Sequence, residues 1–175
     1  MIVLDASAAL EMVQRTEAGN TFEELVYNGE TIISVDLFCG EVLSAFTKYA
    51  RAGLMSDEEV KEKVETAISM VDRFVLMRDL YVEALNESLR LGHSPYDIFY
   101  FVLARRNAAT LFTMDRRLNG LAMRNGLNCV FEAEVAPGGE LDHPCGDRAI
   151  KNVVIGAWPQ LTEGGPAACA TGPRS

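Results

Sequence analysis

Four acids occupy positions where a carboxylate either caps a helix or does chemistry. Asp5 ends the apolar run Ile2-Val3-Leu4 and opens an apolar-periodic segment from Ser7 to Val13, while Asp115 ends Leu111-Phe112-Thr113-Met114 and opens Arg116-Arg117-Leu118. An Asp between a strand and a helix can satisfy the free backbone donors of the first helical turn. Taken singly, Asp5 allows that reading as readily as cation binding, and Asp115 reads first as a cap. Glu41 and Asp97 differ, because each lies among apolar neighbours near a helix start, in Phe38-Cys39-Gly40-Glu41-Val42-Leu43 and Ser94-Pro95-Tyr96-Asp97-Ile98-Phe99. The helix dipole favours an acid in a first turn, but a carboxylate facing apolar surroundings is costly unless it is paired or bound to a metal.

Whether these acids can meet depends on the elements that carry them. Short runs rich in β-branched or large apolar side chains, at residues 2–4, 31–35, 74–77, 110–113 and 128–131, read as strands. Helical patterns cover 18–28, 38–51, 57–72, 80–91, 96–106 and 116–125, several of them bounded by Gly53, Gly92 or Gly126, or by Ser56 at the start. The alternation predicts an α/β fold with a mainly parallel sheet. Strands this short and this apolar suit a sheet covered on both faces, and right-handed crossovers then restrict it to a doubly wound arrangement. Ligands in such sheets bind beyond the carboxyl ends of the strands, and that is where Asp5 and Asp115 fall.

The bulk properties set the class. A chain of 175 residues, 49% apolar and 23% charged, is large enough for one hydrophobic core and is not disordered. There is no apolar run of the ~20 residues needed to cross a bilayer and no basic, signal-like amino terminus, so a cytoplasmic protein is expected. Cys39, Cys129, Cys145 and Cys169 form no C-x-x-C pair, and His93 and His143 have no metal-ligand spacing, which disfavours a zinc site, a disulfide framework or a Ser-His hydrolase. A net charge of −9 counts against nucleic acid as a partner, but from Pro95 to Gly126 five arginines stand against two acids. After Glu132 the texture changes: five of the six prolines and seven of the fourteen glycines lie in residues 133–175, which are expected to form a Gly/Pro-rich tail.

Taken together, V-L-D-A-S-A-A-L, G-E-V-L-S-A-F, Y-D-I-F-Y-F-V-L-A-R-R and T-M-D-R-R-L resemble the PIN-domain family across residues 1–132, and in particular the VapC-type toxin ribonucleases of toxin–antitoxin pairs. The resemblance implies a three-layer α/β/α fold around a five-stranded, mainly parallel sheet. By position, Asp5, Glu41, Asp97 and Asp115 correspond to the family's acidic quartet, with Ser7 and Thr113 at its accompanying hydroxyls. It also implies Mg²⁺ or Mn²⁺, hard cations held by a few carboxylates while keeping several waters, and RNA phosphodiester hydrolysis. Asp5, Asp97 and Asp115 would be ligands, and Glu41 either a ligand or the group orienting the nucleophilic water. Arg105, Arg106, Arg116 and Arg117 flank the downstream acids and suit RNA phosphates or solvated helix faces equally. Tyr96, Phe99, Tyr100 and Phe101 have helical spacing that marks packing rather than a base-stacking platform. An antitoxin partner and a homodimer are further implications, although the family's small members end near residues 132–135, before the tail begins. Arg148 or Lys151 of that tail is one candidate for reaching the acids.

Two rival classes fit less well. A haloacid-dehalogenase-type phosphatase wants an acid two residues after Asp5, where Ser7 stands, and a receiver domain wants a lysine on a late strand that is not found. A PIN-like RNA- or protein-binding module without nuclease activity has no use for an intact quartet.

Overall fold

The computed structural model of the chain describes residues 1–26 and 29–131, so the tail with Arg148 and Lys151 lies outside the described residues. Within them the order is β1 (Ile2–Leu4), α1 (Ala6–Gln14), α2 (Glu17–Leu25), β2 (Ile32–Val35), α3 (Leu37–Arg51), α4 (Asp57–Ser69), β3 (Arg73–Val75), a 3-10 turn at Met77–Asp79, α5 (Tyr81–Leu91), α6 (Pro95–Arg106), β4 (Thr110–Phe112), α7 (Arg116–Arg124) and β5 (Cys129–Val130). The five strands form one sheet in the order β3-β2-β1-β4-β5, and every neighbouring pair is parallel.

The consecutive apolar residues of the strands are explained by cover on both faces. Ile2, Leu4 and Phe112 pack on one side with Phe22, Phe38 and Phe46. Val3, Ile33, Val35 and Leu111 pack on the other with Ile98, Phe101, Leu103 and Leu118. Helices α1 to α4 thus cover one face and α5 to α7 the other, the three-layer α/β/α arrangement expected from the sequence.

Polar side chains set the ends of β3, which lies one or two residues earlier than the apolar pattern suggests. Asp72, expected in a helix, instead opens the strand: its carboxylate accepts the Ile32 amide at 2.8 Å and its own amide donates to the Ile32 carbonyl at 2.9 Å. At the far end the Asp36 carboxylate accepts the Met77 amide at 2.8 Å and turns the chain out of the sheet. The central strands β1 and β4 are adjacent, with Leu4 in register with Phe112. That pairing brings the two strand-end acids, far apart in sequence, to the same edge.

Candidate functional site

At the carboxyl edge of β1 and β4 the side chains form a tight polar knot. Asp5 occupies the N-cap position of α1 but makes no side-chain capping hydrogen bond. Its Oδ2 instead accepts the Ser7 hydroxyl at 2.5 Å and the Thr113 hydroxyl at 2.6 Å. Ser7 in turn accepts the Met114 amide at 2.8 Å, and Thr113 the Asp115 amide at 3.0 Å, so α1 is bound directly to the chain leaving β4. Both hydroxyls converge on Oδ2, which leaves Oδ1 outside the pair. Asp115 does cap its helix: Oδ1 accepts the amides of Arg117 and Leu118 at 2.6 and 3.0 Å.

The other two acids come from helices on opposite faces of the sheet. Glu41 projects from α3, and its Oε2 accepts the Tyr100 hydroxyl of α6 at 2.5 Å. Asp97 is the third residue of α6, half-buried, with Pro95 pre-setting the first turn. Burial is the largest influence on both: Glu41 is pushed up to about 8, by desolvation first and then by the charges of Asp5 and Asp97. Asp97 is pushed up to about 7, by desolvation and then by Asp115 and Asp5. Asp5, buried, is also raised, chiefly by desolvation, with the hydroxyls of Ser7 and Thr113 opposing and the charge of Asp115 adding to the rise. Each of the four acids therefore acts electrostatically on at least two of the others. They gather near the strand ends, where their like charges raise one another and the Arg117 charge opposes that rise at Asp97.

Cationic side chains divide into two groups. Arg105 donates to Glu83 at 2.6 Å and to Glu87 at 3.1 Å, and Arg106 to Glu83 at 2.5 Å, so both are engaged in the seam between α5 and α6. Arg117, in the first turn of α7, is the arginine whose charge acts on Asp97, and it lowers the acid's proton affinity. Arg116 precedes it in the same turn.

Two residues touch the crevice without standing out in the sequence. Tyr100 lies in an apolar helix and is fully buried as packing requires, yet its hydroxyl ends on Glu41, and burial beside the charges of Glu41 and Asp5 holds it well above its ordinary value. Phe101 and Ile98 are plain core residues, while Tyr96 is exposed. The His93 side chain is shielded from solvent, with Nδ1 3.2 Å from Asp97 Oδ2. Burial and the nearby Arg117 charge hold it below the usual histidine range. The i, i+4 spacing of His93 and Asp97 was the one available signal; the target of Tyr100, 59 residues away, had none.

The donor set suits a hard divalent cation. It is all oxygen, it is anionic, and its charges repel one another without a partner. Among the described residues, no three acidic, histidine or cysteine side chains close into a tight cage. Mg²⁺ in general uses one or two carboxylates and keeps several waters rather than occupying an all-protein shell.

Comparison with known proteins gives the class. The PIN domain family profile matches residues 2–122. Ribonuclease VapC12 of Mycobacterium tuberculosis is 33% identical over 132 residues, covering 75% of this chain and 98% of the relative. Ribonuclease VapC3 of Pyrobaculum aerophilum is 29% identical over 121 residues, covering 67% of this chain and 91% of the relative. The crystal structure of PAE2754 from Pyrobaculum aerophilum shares the fold, with a TM-score of 0.51 at 22% identity, covering 68% of this chain and 84% of that one. The chain belongs to the PIN-domain family and is VapC-like.

Proposed function

We propose that this protein is a divalent-cation-dependent endoribonuclease that hydrolyses RNA phosphodiester bonds and serves as the toxin of a type II toxin–antitoxin pair. The observation that carries this reading is the mutual repulsion of Asp5, Glu41, Asp97 and Asp115 in one half-buried crevice, a site that favours a cation over any neutral ligand. Its kinship with proteins named ribonucleases supports RNA as the substrate.

Asp5, Asp97 and Asp115 would hold Mg²⁺ or Mn²⁺, which when bound stabilises charge on the phosphate and lowers the pKa of a coordinated water. Ser7 and Thr113 fix the rotamer of Asp5 by donating to a single oxygen. Glu41, one oxygen held by Tyr100, orients the nucleophilic water with the other. The water oxygen would bond to phosphorus as the bond to the leaving ribose oxygen breaks, one water proton passing to solvent and the leaving oxygen taking one up from it. Arg117, and Arg116 beside it, approach RNA phosphates at the rim, whereas Arg105 and Arg106 bind α5 to α6.

On this reading residues 1–132 form the nuclease domain and 133–175 an appended tail. The partner is a small antitoxin covering the acidic crevice, and the assembly is a homodimer. An apolar stripe on α5, formed by the exposed Tyr81, Val82, Leu85 and Leu89, supports pairing with a second copy. No helix among the described residues is long and apolar enough to cross a membrane, and an RNA substrate agrees with a cytoplasmic location.

The test is cleavage of a labelled total-RNA pool with Mg²⁺, Mn²⁺ or chelator, using the wild type, Asp5→Asn and Asp97→Asn. Metal-dependent cutting lost in both variants supports the proposal. Equal cutting by all three proteins contradicts it, and binding of RNA without cutting by the wild type favours the binding-module alternative.

A further inference from the structure

Outside the quartet, one buried polar group faces the site with its hydrogen-bonding capacity unmet. The His93 side chain is only 7% exposed, and neither ring nitrogen makes an aligned hydrogen bond among the described residues. Buried polar atoms in native folds are nearly always satisfied, and an unsatisfied one costs roughly 1–3 kcal/mol. A neutral imidazole always carries one N–H and one acceptor nitrogen. The ring stands in the short connection between α5 and α6, next to a helix end fixed by Gly92 in the left-handed conformation. Its backbone is anchored as well, because the Ser88 hydroxyl donates to the His93 carbonyl at 2.6 Å.

What lies against the ring limits its use. Nδ1 is 3.2 Å from Asp97 Oδ2, one helical turn further on. The Arg117 main chain and the Arg117 and Asp115 charges, at the start of α7, also act on it. The ring therefore sits between the two helix starts that carry Asp97 and Asp115, but does not itself enter the crevice as a fifth donor. No metal ion among the donor sets common to histidine is called for in this all-oxygen site. The chemistry left to His93 is to hold a carboxylate still, the role that partners of metal-binding carboxylates play elsewhere.

We propose that His93 is a positioning residue: its Nδ1–H donates to Asp97 Oδ2 and fixes the carboxylate in the orientation that receives the divalent cation. This rests on the cation-binding reading of the quartet. A small rotation of either side chain turns the 3.2 Å approach into an aligned hydrogen bond, satisfying the Nδ1–H donor and leaving Asp97 Oδ1 outside that contact. The contact also makes the start of α6 rigid at its exposed edge, where Tyr96 offers no packing.

Two measurements separate this proposal from the one beneath it. First, Mn²⁺ affinity is read from the free-ion electron paramagnetic resonance signal for the wild type, His93→Leu and His93→Asn, with metal-free melting as the folding control. Leu keeps the volume without the donor, whereas the Asn amide places a donor near Nδ1. Expected is a loss of about 10–100-fold for His93→Leu and a recovery to within about threefold of wild type for His93→Asn, at similar melting temperatures. Equal affinity in wild type and His93→Leu, or an equal loss in both variants, overturns the proposal, because a purely structural role would not be rescued by an amide. Second, the chain has two histidines, so ¹⁵N ring spectra of the His143→Gln protein report His93 alone. A proton on Nδ1 with Asp97 ionised, lost from that position in Asp97→Asn, is expected; a proton on Nε2 in both proteins overturns the contact. Should the wild type show the Nδ1 proton and bind no Mn²⁺, the positioning contact stands and the nuclease reading falls.

Discussion

The molecule contains two clusters of acids on helices, and they behave in opposite ways. In the seam between α5 and α6, Glu83 and Glu87 meet Arg105, Arg106 and Arg90, and both carboxyls are held below their ordinary values by those guanidinium partners, Glu83 despite an opposing desolvation that is its largest single influence. At the strand ends Glu41, Asp97 and Asp5 meet mainly each other, and all three are raised. Both clusters put acids within one turn of apolar residues. In the first each acid meets a guanidinium at hydrogen-bonding distance; in the second the acids mainly raise one another, with the Arg117 charge opposing at Asp97. Structural acids come with their counter-charge in direct contact, whereas the strand-end acids chiefly raise one another, which is the basis for proposing an external divalent ion there.

The sharpest break between the clusters is catalytic. Asp5→Asn and Asp97→Asn are each expected to lower RNA cleavage by at least about a hundredfold, since direct ligands should cost more than the 10–100-fold typical of their supporting partners. Glu83→Gln should leave cleavage within about twofold of wild type, because an exposed ion pair contributes only ~0.2–1 kcal/mol of stability and does not touch the crevice. Initial rates on one labelled RNA at saturating Mg²⁺ check both.

Stability should invert the order. Glu41→Gln removes a charge raised to about 8 by burial and its neighbours, so the metal-free variant is expected to be more stable than wild type above neutral pH by on the order of 1–3 kcal/mol. Glu83→Gln is expected to be less stable by up to about 1 kcal/mol. Urea unfolding of the three proteins in chelator measures this, and a less stable Glu41→Gln would show that the crevice is compensated after all.

A smaller effect is expected at Tyr100→Phe, which keeps the ring in the core and removes the hydroxyl that holds Glu41. Cleavage should fall by about tenfold with little change in melting temperature. If Glu41 orients water, the loss lies in kcat and not in KM. The smallest expected difference separates the arginines. Arg117→Ala should weaken RNA binding and reduce the salt slope by about one, while Arg105→Ala leaves the slope unchanged. An altered slope in Arg105→Ala would place the seam on the RNA path.

Much of this could be read from the sequence, and for a definite reason. Asp5 and Asp115 each follow an apolar run and begin a helix, and a parallel sheet brings such ends together whatever lies between them. The sheet, its cover on both faces and the common edge of Asp5 and Asp115 follow from that local grammar. What could not be read depends on tertiary approach. The boundary of β3 is set by Asp36 and Asp72, which reach backbone amides 41 and 40 residues away. Tyr100 looks like packing because it is packing; only its hydroxyl, which ends on Glu41, departs from that. Arg105 and Arg106 look like a phosphate clamp until α5 is laid against α6. Asp5 and Asp115, equivalent by pattern, part company in the fold, one held by hydroxyls and the other capping α7.

The central claim is that the crevice is an uncompensated acid cluster that a divalent cation completes, and thermal unfolding across pH tests it most directly. A carboxyl raised in the folded chain binds its proton more tightly there than in the unfolded chain. Its effect on stability is therefore absent below the unfolded carboxyl range of about 4, and stability falls as pH rises through about 4–8. With Asp97 raised to about 7 and Glu41 to about 8, the metal-free protein should lose on the order of 10 °C in Tm between about pH 5.5 and 8.5. Mg²⁺ should restore most of that loss at the upper pH, do little at the lower, and do little at either in Asp97→Asn. A Tm that does not fall with pH in chelator, or that Mg²⁺ leaves unchanged at both values, would contradict the account.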